Sequence, residues 1–136
     1  IVCTSVRAPG INATRSANLK YEPERMLTGR IELQNGTHPG PEDRARFYRE
    51  LQQLVWSLIE EMFSARTITP GVTRTSDLVW WWRQRVTDLG LATWFQPSVS
   101  VQRRGVSAAA LGEDPVIERG DLLWCDVGIT ALGLNT

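Results

Sequence analysis

Leu122-Leu123-Trp124-Cys125-Asp126-Val127-Gly128-Ile129 is an apolar run with a single carboxylate inside it. It is rich in Val, Ile and aromatic residues and follows a turn signal, Glu118-Arg119-Gly120-Asp121, so it reads as a buried strand. A carboxylate carried into such a strand loses its hydration, which is costly unless something compensates it. Two readings of Asp126 are open on these grounds. It is a metal ligand, or it is a structural residue accepting backbone hydrogen bonds at a bulge near Gly128.

Working outward, Gly128 and Gly133 bracket a hairpin, with Leu132 and Leu134 on its return arm. Paired positions move in opposite directions across an antiparallel turn, so a turn near Ala131 and Leu132 would set Asp126 opposite position 137. Upstream, Val116-Ile117 leads into the Gly120 turn, and Arg103 to Asp114 is small and polar enough to be a loop. Thr93 to Gln102 carries Trp94-Phe95 and then alternating Val99 and Val101, a strand pattern after Pro97. Before Gly90 the period is helical. Pro41 to about Ser64 has Pro, Glu42 and Asp43 in its first turn and a stripe of Phe47, Leu51, Leu54, Val55, Leu58, Ile59 and Met62. Thr67-Ile68-Thr69-Pro70-Gly71 breaks it. A second helix starts near Thr75 as N-cap, repeats Leu78, Val79, Trp82, Val86 and Leu89, and stops at Gly90. Helix, helix, then antiparallel strands is an α+β pattern.

Residues 1–40 are poorly legible. Pro9-Gly10, Asn35-Gly36 and His38-Pro39-Gly40-Pro41 are turn punctuation, and Arg30-Ile31-Glu32-Leu33-Gln34 alternates like a short strand. Across 136 residues, 42% hydrophobic content and six tryptophans argue for one folded domain rather than disorder. Fifteen basic and fifteen acidic residues leave no net charge, hence no electrostatic case for nucleic acid or an anionic membrane. No apolar run approaches the roughly 20 residues that span a bilayer. A soluble protein is expected, with cytoplasmic and exported locations both open, since the first residue is Ile and a removed signal would leave no trace. Cys3 and Cys125 form neither a disulfide framework nor a zinc cluster, and the sequons at Asn12 and Asn35 are too short to fix a compartment.

Few constellations carry chemistry. The single histidine, His38, sits in a Gly/Pro-dense loop and reads as a turn residue rather than a catalytic base. Neither GxGxxG nor GxxxxGK[ST] occurs. Gln102-Arg103-Arg104 could grip a substrate carboxylate, although a solvated loop charge is the better reading. Trp80-Trp81-Trp82 with Arg83 and Arg85 suggests stacking on bases or sugars, but at helical spacing core packing is preferred, with Trp82 inward. Asp126 remains the residue of interest.

Ile68 to Thr136 resembles the first half of the catalytic domain of the pita-bread metallopeptidases: methionine aminopeptidases, Xaa-Pro aminopeptidases, prolidases and creatinase. The matching pieces run in order: Ile68-Thr69-Pro70-Gly71-Val72-Thr73, the helix with Asp77 and Trp81, and Leu89-Gly90-Leu91. They continue with Phe95-Gln96-Pro97-Ser98-Val99-Ser100-Val101-Gln102, Ile117-Glu118-Arg119-Gly120-Asp121-Leu122-Leu123, and Asp126-Val127-Gly128-Ile129 with Gly133 beyond. The Pro41–Ser64 helix fits the one preceding the family's Pro-Gly-x-Thr turn. Within the family the chain is most similar to bacterial Xaa-Pro peptidase-like proteins.

The resemblance implies a partial pita-bread fold over 41–136, with a hairpin carrying Asp126. It also implies two divalent metal ions (Mn, Co, Fe or Zn), held by two Asp, one His and two Glu around a nucleophilic water. Asp126 maps onto the first ligand and position 137 onto the second; the others would lie in a second half not contained in this sequence. The implied substrate is a peptide cleaved near its N-terminus, with Xaa-Pro bonds among the implied sites. These 136 residues alone are expected to be inactive, and to hold no metal or an incomplete site. The family's proton-shuttling His would align with Ser107-Ala108-Ala109-Ala110, which holds no histidine, so the resemblance implies a different mechanism or substrate at that step. The alternative is a non-catalytic module of the same fold that works by homo-oligomerisation or partner binding.

Overall fold

Helix α1 spans Pro41–Met62 in the computed structural model, which describes residues 2–7, as backbone, and 41–136. Leu51, Leu54, Val55, Leu58, Ile59 and Met62 are all buried, and Phe47 is half-buried. Each such side chain contributes roughly 1.5–3 kcal/mol on burial, against about 0–1 for an exposed ion pair such as Arg46–Asp43. The apolar stripe therefore decides where the helix lies.

Phe63 and Ile68 bury the turn that follows, and Gly71 reverses the chain at φ 82° with its N–H on the Ile117 carbonyl (2.8 Å). Helix α2 covers Thr75–Asp88. Arg74, not Thr75, occupies the N-cap position. A guanidinium accepts no hydrogen bond, so Asp77 turns back to the Arg74 N–H (2.8 Å) and Asp114 caps the helix from a distant loop. Leu78, Trp82 and Val86 face the core, and Arg85 reaches Glu61 of α1 at 3.4 Å. Of the tryptophan run, Trp82 is buried, Trp81 packs partly on the core and Trp80 is exposed. The Arg83 guanidinium lies 4.9 Å from the centre of the Trp80 ring.

The helices cover one face of a three-stranded antiparallel sheet in the order β1 (Val2–Arg7), β3 (Leu122–Val127), β2 (Ser98–Gln102). Val99 and Val101 pair with Cys125 and Leu123, so one row of alternate residues joins the helical core. The architecture is α+β. Strand β1 was not expected from the poorly legible 1–40 region: its six residues are a strand by pairing with β3, far along the chain. The Arg30–Gln34 strand, the turns before Pro41, His38 and both sequons lie outside the described residues.

The 103–114 segment is not wholly a loop. It contains the short helix α3 (Ala108–Leu111), whose N-cap Ser107 accepts from Ala110 N–H. The hairpin also differs from expectation. It consists of β4 (Thr130–Ala131) and β5 (Leu134–Asn135), with Leu132 and Gly133 forming the turn at φ 49° and 75°. Both central residues at positive φ match the twist of the flanking strands, so Leu132 belongs to the turn rather than the return arm. Asp126 lies in the three-stranded sheet, outside this hairpin.

Candidate functional site around Asp126

Asp126 occupies the centre of the sheet, opposite Cys3 of β1 on one side and Ser98 of β2 on the other. Leu123, Cys125 and Val127 alternate into the core, which places Leu122, Trp124 and Asp126 on the other face. Trp124 is exposed there and Asp126 is half-buried. Its Oδ1 is buried and has no hydrogen-bond partner. A structural Asp at a bulge would accept backbone N–H groups, and this oxygen accepts none.

The strand continues through Gly128 and Ile129 into β4, and tight packing surrounds Gly128. A methyl group there would lie 2.7 Å from Phe95 Cε1, 2.8 Å from Trp94 Nε1 and 2.9 Å from the Thr136 carbonyl. Trp94 and Phe95 meet edge to face at 4.7 Å, and Trp94 Nε1 donates to the Thr136 carbonyl at 3.1 Å. With that carbonyl engaged, the Ile129 N–H turns to Thr136 Oγ1 (3.0 Å), while Thr136 N–H donates to the Ile129 carbonyl (3.1 Å). The ladder thus runs through Ile129 and Thr136, and the same register extended by one step would set position 137 opposite Gly128. The expected alignment with Asp126 is off by two residues, because the turn centres on Leu132-Gly133. Strand alternation still keeps Gly128 and Asp126 on one side, between core-facing Val127 and Ile129.

Sequence reasoning missed two carboxylates that fasten this region. Asp121, 1% exposed, accepts Arg103 Nε at 2.8 Å and Nη2 at 2.7 Å, and the Glu118 N–H at 2.8 Å. The Arg103 bonds, above all, hold its carboxyl below the usual range, and Asp121 in turn raises Arg103. Arg103 is therefore neither a solvated charge nor a substrate clamp: its fork holds Asp121 and the Val116 carbonyl (2.9 Å). Asp114 accepts Ser76 N–H, Thr75 Oγ1 and Ser76 Oγ, and the Ser76 N–H chiefly lowers its pKa. Their signal in the sequence was weak, since both residues read as turn formers.

Asp126 suits one ligand position of a hard divalent cation. Among the described residues no three of His, Cys, Asp and Glu gather as a cation-holding group. None of the described helices is long and apolar enough to cross a membrane. No family profile, curated protein or solved structure significantly matches the chain.

Proposed function

We propose that this chain is the first half of a pita-bread metallopeptidase domain, in which Asp126 is the first ligand of a two-metal centre. The observation that carries the reading is the buried, unpartnered Asp126 Oδ1 on the central strand, on the sheet face away from the helices. Desolvating a carboxylate oxygen without a partner is unfavourable, and a divalent cation satisfies it. The ordered series from Ile68-Thr69-Pro70-Gly71 to Asp126-Val127-Gly128-Ile129 supports the same reading. When bound, paired divalent ions supply an activated water and stabilise the oxyanion formed at a peptide carbonyl. The part of the chain described here orients one ligand. Its packing around Gly128 fixes the direction in which β3 presents Asp126, and the remaining ligands belong to a second half. The substrate is a peptide with a free N-terminus.

Manganese binding followed by electron paramagnetic resonance tests the ligand assignment on the polypeptide as its gene encodes it. Asp126→Ala should weaken binding at least about tenfold, the scale of losing a carboxylate that supports a metal site. Unchanged binding removes Asp126 from the ligand set. Hydrolysis of Xaa-Pro peptides by the same polypeptide, abolished by chelation, tests the activity. Exposed Trp124 on the Asp126 face favours a second reading, a partner-binding module without catalysis. Absence of metal from the wild type would leave that reading standing.

A further inference from the structure

The two directions along β3 from Asp126 are built differently. On one side comes Gly128, where a side chain leaving the Asp126 face would meet Phe95 at 2.7 Å and Trp94 at 2.8 Å. These two rings brace each other edge to face, and Trp94 is tied to the Thr136 carbonyl at 3.1 Å. They stand over Gly128 as a wall. On the other side comes Trp124, which shares the face with Asp126 and is 39% exposed. Its partner on β2 is Ser100, and Ser98 lies opposite Asp126. Both serines are exposed and too short to cover an indole. Same-face neighbours on a strand lie roughly 7 Å apart, so the Trp124 side chain rises next to the Asp126 carboxylate.

We propose that this face is a peptide cleft closed at one end, in which Trp94 and Phe95 stop the chain at its N-terminal residue and Trp124 receives an apolar side chain of the residue after the cleaved bond. Both roles rest on the peptidase reading above. A peptide whose first carbonyl is held at Asp126 has its N-terminus on one side and its remaining residues on the other. The walled end at Gly128 leaves no path for a continuing chain, so the remaining residues run over Trp124. An extended chain advances about 3.3 Å per residue, which brings the residue after the bond within reach of the ring. The chemistry of the side chain follows from the surroundings. Besides Asp126, the described members of this face on β2 and β3 are Ser98, Ser100, Gln102, Leu122 and Trp124, none of them charged. A charged side chain would lose water there and gain no opposite charge, whereas an apolar one covers indole surface. That exposed surface is on the order of 100 Å².

The test uses the manganese-loaded polypeptide as its gene encodes it and isothermal titration calorimetry. The ligands are Ala-Leu-Ala, Ala-Gly-Ala and Ala-Glu-Ala, each with its first amide reduced to CH2–NH so that it is not cleaved. Covering about half of the exposed indole with leucine corresponds to roughly tenfold in affinity. The wild type should therefore bind the leucine peptide about tenfold tighter than the glycine peptide, and the glutamate peptide no tighter than glycine. In Trp124→Ala the leucine preference should fall to about one, and Trp124→Phe should keep most of it. N-acetylation of the leucine peptide should abolish binding, because the wall leaves no room for the extra group. A leucine preference unchanged in Trp124→Ala, or equal binding of the acetylated peptide, overturns the proposal. Manganese affinity, read by electron paramagnetic resonance, should be the same in wild type and Trp124→Ala. A wild type that binds manganese and none of the peptides overturns the cleft alone. One that binds neither overturns the peptidase reading with it.

Discussion

Replacing Arg103 with Met keeps an apolar stem and removes the charge against which Asp121 is buried. Asp121 is 1% exposed and would lose both guanidinium bonds, keeping the Glu118 N–H at 2.8 Å. Removing one partner of a buried ion pair costs about 3–5 kcal/mol. The Arg103 side chain is 30% exposed, so water can reach the vacated side, and the lower end, about 3 kcal/mol, is expected. That is a large share of the roughly 5–15 kcal/mol that holds a domain together. Urea unfolding followed by tryptophan fluorescence at pH 7 measures it.

The pH dependence has a definite sign. Asp121 is depressed in the folded state, chiefly by the Arg103 hydrogen bonds, so its contribution is present above its unfolded value near 4. The contribution is lost as pH falls through the folded value, below about 4. In Arg103→Met, burial acts on Asp121 without its main opponent, so acid destabilisation should begin at higher pH than in the wild type. The double variant Arg103→Met/Asp121→Leu should be more stable than Arg103→Met alone, because no charge is left buried and unpaired. A change under about 0.5 kcal/mol in Arg103→Met, within the range of ordinary surface substitutions, would refute the buried-pair reasoning. So would a double variant whose loss equals the sum of the singles.

Gly128→Ala should cost about 1–3 kcal/mol in chemical denaturation, because the added methyl meets Trp94, Phe95 and a backbone carbonyl. Trp82 is buried with its Nε1 unpartnered. Thermal unfolding should therefore show Trp82→Phe within about 1.5 kcal/mol of wild type and Trp82→Ala about 3–5 kcal/mol less stable. Asp114→Ala should lose about 1–2 kcal/mol, the scale of a helix N-cap, with faster amide exchange in the first turn of α2. Asp126→Leu should leave the denaturation midpoint unchanged or raise it, since the carboxylate has a buried oxygen without a partner. A loss above about 1 kcal/mol would mean that Asp126 makes bonds stabilising the fold.

Much of the helical layer was legible because its signal is local. Leu51 to Met62 and Leu78 to Val86 repeat at helical spacing, and that spacing alone determines which face seeks cover. The alternation of Val99 and Val101, and the apolar run through Asp126, likewise marked β2 and β3. Local periodicity sufficed for two amphipathic helices, a strand-rich remainder and one carboxylate out of place. Tertiary structure alone decided which partners those pieces meet. Val2–Arg7 is a strand because β3 offers an edge, and Arg103 finds Asp121 eighteen residues along the chain, beyond the Gly120 turn. Asp114 caps a helix that begins near Thr75, and a turn at Leu132-Gly133 shifts the hairpin ladder relative to Asp126. Each is a pairing between residues whose separation along the chain carries no periodic signal. It is fixed by hydrogen-bond geometry and burial once the chain has closed, and that is where the environment of Asp126 was set.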